Sequence, residues 1–184
     1  MKKIFTLLSV IVCLMASQTS FGQIAQSENF NGCALPAGWV ETIVSGDSSW
    51  WFVDNSPDPF NVGNIDGTCM VMFDDDWMGS AALPSHVELI SPAVDLTTFS
   101  NILLEFDYNF QQFGALNDRC EVDVWDGVAW VNVFSQNAND CGVWTCGPPF
   151  PHAEIDVSAY INAAFQVRFS YIDDGEWGWW FAMD

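Results

Sequence analysis

Residues 165–184 constrain the fold more than any other stretch of the chain. Phe165, Val167, Phe169 and Tyr171 alternate with Gln166, Arg168 and Ser170, the two-residue period of a strand with one buried face. An acidic turn at 173–176 follows. Residues 177–183 then run almost continuously apolar, as a strand covered on both faces does. Such a hairpin needs further strands to pack against it.

An earlier stretch echoes this one. Asp95-Leu96-Thr97-Thr98-Phe99-Ser100-Asn101 leads into a strand ending Phe106-Asp107-Tyr108, and Asp156-Val157-Ser158-Ala159-Tyr160-Ile161-Asn162 leads into one ending Phe169-Ser170-Tyr171. The Asp and the hydroxyl suit a turn that hydrogen-bonds its own backbone. One device used twice fits corresponding strands in the two sheets of a sandwich. Two copies are too few for a solenoid.

Taken in order, 40–44, 50–53, 68–73, 87–90, 119–125 and 129–134 read as further strands. Asp126-Gly127 is a strong hairpin signal between the last two. Residues 54–67, rich in Asn, Pro, Asp and Gly, form a long loop. No long segment carries helical periodicity. The pattern predicts an all-β jelly-roll sandwich of antiparallel strands.

Residues 1–22, with Lys2-Lys3, an apolar run and a small-residue end, read as a secretory signal peptide. Residues 23–184 then make a single domain of roughly 160 residues, secreted or on the cell surface. Of the four Lys and Arg against 24 Asp and Glu, only Arg119 and Arg168 lie beyond the leader. That balance repels nucleic acid and anionic lipid, and no segment reads as membrane-inserted. Ten Trp and fifteen Phe supply enough burial to exclude disorder. Five cysteines follow the leader; export permits disulfides, and Cys141 and Cys146 are the easiest pair to close. The odd number leaves one thiol over.

Phe30, Leu35-Pro36, Gly38-Trp39, Trp51, Ser91-Pro92, Asp95-Leu96, Phe106, Tyr108, Trp130, residues 155–158, Phe169, Tyr171 and the ending Trp180-Phe181-Ala182-Met183-Asp184 fall in a familiar order. It resembles the bacterial cleaved-adhesin and choice-of-anchor J domains, which are related to MAM domains, across nearly all of residues 30–184. The resemblance implies a jelly-roll sandwich with a role in adhesion and bound Ca2+, partnered by a host or matrix protein or by a glycan. It also implies that carboxylates converge on the ion, at Glu28, at Asp58 or Asp66, and at Asp184. Family members continue past the final Asp, so the chain is expected to be C-terminally incomplete. The clusters 74–76 and 173–176 are alternative acidic sites.

Two further readings concern chemistry. Glu121-Val122-Asp123-Val124-Trp125-Asp126 resembles the acidic strand of jelly-roll β-glucanases, with Glu121, Asp123 and Trp125 on one face. Asp126 before Gly127 reads as a turn residue, which argues against hydrolysis; the chain is expected not to be an enzyme. Trp77, Trp144 and Trp177 stand beside acidic or loop segments and are candidate sugar-stacking residues. Trp39, Trp51, Trp130 and Trp180 sit in strand patterns and are expected in the core. The alternative to a general adhesion module is thus the carbohydrate-binding module of a larger hydrolase.

Overall fold

The strongest alternation in the sequence becomes β9 (Val167–Ile172) of a computed structural model, which describes residues 23–53, 68–79, 84–112, 117–139, 150–173, 175 and 178–184. Val167, Phe169 and Tyr171 point inward and are buried, while Arg168 and Ser170 sit on the opposite face. The remaining strands are β1 (Val40–Ser45), β2 (Trp51–Val53), β3 (Met70–Asp74), β4 (His86–Ile90), β5 (Leu103–Gln111), β6 (Arg119–Trp125), β7 (Trp130–Gln136), β8 (His152–Asp156) and β10 (Trp180–Met183).

Among the described residues these strands form two antiparallel five-stranded sheets, ordered β1-β4-β9-β6-β7 and β2-β3-β10-β5-β8. The sheets pack face to face as a jelly-roll sandwich. Aromatic contacts bridge them: Phe73 stacks on Tyr171 at 4.8 Å, and Phe106 meets Phe169 edge-on at 5.5 Å. The expected two-sided burial of the last strand is observed. Phe181 and Met183 enter the core between the sheets. Trp180 and Ala182 pack on the other side with Met70, Met72 and Trp179.

The repeated turn device is also realised. The Thr97 N–H and hydroxyl both donate to Asp95 Oδ1, and the Ser158 N–H donates to Asp156 Oδ1. The Thr97 and Ser158 side chains first, and then their N–H groups, hold the Asp95 and Asp156 carboxyls below the usual carboxylate range. The two copies lead into β5 and β9, which lie in opposite sheets. Ser158 joins the copies by accepting the Ile102 N–H at 2.9 Å.

Several expectations need correction. The last strand begins at Trp180 rather than 177, because the Trp179 carbonyl turns aside to accept the N–H of Asp75 and of Asp76. Residues 74–76 do not simply end a strand. Asp74 caps a four-residue helix, α1 (Asp75–Met78), by accepting the Trp77 N–H at 3.0 Å. His86 and His152 are the first residues of β4 and β8. The disulfide found is Cys33–Cys69, which the sequence did not single out. Cys141 and Cys146 lie outside the described residues, and Cys120 is fully buried in the core.

Candidate functional site: the outer face of the first sheet

Register decides which polar side chains meet. In β6, Cys120, Val122 and Val124 point into the core, so Glu121, Asp123 and Trp125 face outward. Across the ladder Asp123 stands opposite Asn132 on one side and Arg168 on the other, while Glu88 stands opposite Ser170 and Ile90 opposite Arg168. The middle of this face is therefore a connected polar network.

Arg168 holds the network together. Its Nε and Nη2 donate to Asp123 Oδ2 at 3.1 and 2.7 Å, and Nη1 pairs with Glu88 Oε1 at 3.0 Å. Asn132 Nδ2 donates to Asp123 Oδ1 at 3.0 Å. Charge-assisted bonds of this geometry are the strong ones. The guanidinium also lies 4.7 Å from the ring centre of Trp130, a cation–π contact. Trp130 meets Trp125 edge-on at 5.7 Å. Arg119 pairs with Glu121 at 2.8 Å further along β6. Two indoles thus flank a row of fixed donors and acceptors, and Trp130, expected in the core, belongs to the outer face.

This geometry separates the three carboxylates of the hydrolase reading. Asp126 Oδ1 accepts the N–H of Val128 and of Ala129 within the β6–β7 turn, which lowers its pKa. Asp123 is 5% exposed and saturated by Arg168 and Asn132. Glu121 is tied to Arg119. Hydrolysis by paired carboxylates needs one free acid and one free base or nucleophile, and these three side chains are otherwise engaged.

The remaining predicted residues are scattered. Trp77 is 57% exposed on α1, edge-on to Trp51 at 6.0 Å, a second and smaller aromatic pair. Trp144, Trp177, Asp58 and Asp66 lie outside the described residues. Glu28 and Asp184 line the same cleft, of about 550 Å³, between the sheets and the segment 23–28. Glu28 Oε1 accepts the N–H of Asn29 and of Phe30, fixing the carboxylate there. Among the described residues, no group of three His, Cys, Asp or Glu is arranged to hold a metal ion.

No family model matches the sequence, and no curated protein does. Solved structures do match. The K1 cleaved adhesin domain of Lys-gingipain from Porphyromonas gingivalis W83 aligns over 85% of this chain and 92% of its own, at 17% identity and a TM-score of 0.61. A carbohydrate-binding module of the β-sandwich superfamily aligns over 85% of this chain and 58% of its own, at 8% identity and a TM-score of 0.51. What they share with this chain is the fold.

Sequence reasoning placed Glu121, Asp123 and Trp125 on one face but missed Glu88, Asn132 and Arg168 as their neighbours. A period-2 pattern assigns faces within a strand. It carries no signal for which residue stands opposite.

Proposed function

We propose that this protein is a secreted or cell-surface, non-catalytic binding module that recognises neutral glycans on the outer face of the first sheet. The observation that carries the proposal is the Arg168 network, a fixed polar strip bordered by Trp125 and Trp130. Sugar rings present apolar faces that stack on indoles and hydroxyls that need donors and acceptors in fixed places. Both are on this face. Neutral glycans are favoured over uronic or sulfated ones because acidic residues outnumber basic ones by 20. The module reading is further supported by the folds it matches, an adhesin domain and a carbohydrate-binding module. An exported location accords with the leader-like residues 1–22 and with the Cys33–Cys69 disulfide.

Ca2+ remains part of the proposal as a structural ion. Glu28 and Asp184 offer hard oxygen donors on one cleft, the chemistry Ca2+ takes. A bound ion would offset their charge and tie the segment 23–28 to the last strand.

The test is a glycan array probed with the whole protein, followed by calorimetry on any hit. Neutral glycans should bind, and Trp130→Ala should weaken binding at least tenfold, about 1.4 kcal/mol. Trp77→Ala should leave it unchanged. Binding lost in Trp77→Ala and kept in Trp130→Ala would move the site to α1. No binding by folded protein would remove the glycan reading and leave protein adhesion.

A further inference from the structure

At one end of the sandwich the two sheets part around the cleft of about 550 Å³ beneath residues 23–28. Folded interiors hold few voids larger than a water molecule, so this volume needs a reason. Its walls are core side chains of both sheets: Phe106 and Met183 from the second, Val167 and Phe169 from the first. The segment 23–28 covers them thinly. Ala25 packs on the core, but Gln23, Gln26 and Ser27 are exposed polar residues and Ile24 is 80% exposed.

Two features give the cleft a chemistry. The first is an aromatic wall. Trp39 meets Phe30 edge-on at 5.4 Å and lies nearly parallel to Phe169 at 6.4 Å, and all three rings line the cleft. Ring faces are electron-rich and attract organic cations as well as apolar groups. The second feature is the rim. Among the described residues, every charged side chain lining the cleft is acidic: Glu28, Glu105 and Asp184. Glu28 Oε1 accepts the N–H of Asn29 and of Phe30, which holds that carboxylate in place. A carboxylate has further acceptor sites beyond two such bonds. Leu103 and Ile24, both exposed, put apolar surface at the same mouth.

We infer that the cleft binds an amphipathic organic cation, an alkyl or aryl chain ending in one ammonium group. The chain lies between the sheets against Phe106, Phe169 and Met183, and the ammonium meets the carboxylates at the rim. A fatty acid of the same shape would bring its own carboxylate against three others. Ca2+ on Glu28 and Asp184 takes oxygen ligands and makes no use of the apolar walls. The lining residues do not include those of the outer face of the first sheet, so this site stands or falls apart from glycan recognition there.

The experiment is calorimetric titration of the whole protein with octylamine at pH 7 in the presence of chelator. Octanol and octanoate serve as neutral and anionic counterparts of the same length. Octylamine should bind saturably and roughly fivefold tighter than octanol, the return on an ion pair at a partly exposed rim. Octanoate should bind more weakly than either. Each methylene added between hexylamine and octylamine should tighten binding about fourfold. Leu103→Arg sets a positive charge at the exposed mouth and should weaken octylamine roughly tenfold. Val128→Arg, on the 83% exposed β6–β7 turn, adds the same charge elsewhere and should not. Glu28→Gln should weaken octylamine and spare octanol; if that variant fails to fold, the three ligands on wild type answer the same question. Equal binding of amine, alcohol and carboxylate would show no selection for charge and overturn the proposal. So would octylamine that does not saturate, or equal losses in the two arginine variants, which would trace the effect to overall charge. A dimer in light scattering that Leu103→Arg dissolves would give the cleft to a second copy instead.

Discussion

Replacing Arg168 by leucine tests how the outer face is held together. The guanidinium is shared by two carboxylates, Asp123 with a side chain 7% exposed and Glu88 at 12%. Removing it strands both. Breaking a buried pair from one side costs about 3–5 kcal/mol. Arg168 is itself 21% exposed, and Asn132 still donates to Asp123, so solvent and the amide recover part of the loss. The expected cost is about 2–3 kcal/mol, or roughly 5–10 °C in melting temperature for a domain of this size. Asp123→Leu provides the contrast. It leaves Arg168 paired with Glu88 and stacked on Trp130, so no charge is stranded, and the expected cost is about 1 kcal/mol. Adding Asp123→Leu to Arg168→Leu should restore part of the lost stability, since one stranded carboxylate is then gone. Urea unfolding at pH 7 measures all three, with unchanged m-values required for a fair comparison. Equal costs for the two single variants, or a double variant as costly as their sum, would falsify the shared-guanidinium account.

Further expectations follow from the packing. Cys33 and Cys69 close a loop across a separation of 36 residues, so converting both to serine should cost about 4 kcal/mol on the chain-entropy model, read by urea unfolding against the parent. A cost under about 1 kcal/mol would place the constraint elsewhere. Phe181→Ala empties a fully buried site at the centre of the second sheet and should lose about 3–5 kcal/mol. Gly178→Ala puts a methyl group against Tyr171 and Asp118, and should lower the melting temperature sharply. Gly178→Ala/Tyr171→Phe should recover part of that loss by removing the opposed hydroxyl; no recovery would mean that Asp118 sets the clash.

Much of the architecture was legible in the chain. The alternation in β9 and β6, the unbroken apolar run of β10 and the Asp126-Gly127 turn gave the strands, their inward faces and one hairpin. The Asp-hydroxyl turn device appeared twice and marked two equivalent strands in opposite sheets. These features are local. Period-2 burial and side-chain-to-backbone turns depend on residues within a few positions of each other.

Tertiary structure decided the rest. Trp130 lies in a strand and reads as core, yet it faces outward beneath a guanidinium contributed by β9. Asp75 and Asp118 are 43 positions apart and share Gly178 as a neighbour only because β3, β6 and the β9–β10 connection reach the same side of the sandwich. Cys33 found Cys69 through the same kind of long-range closure. Sequence determined which face each side chain takes, because that is a property of one strand. Which side chains then became neighbours depended on sheet order and register, which are set by the packing of the whole core.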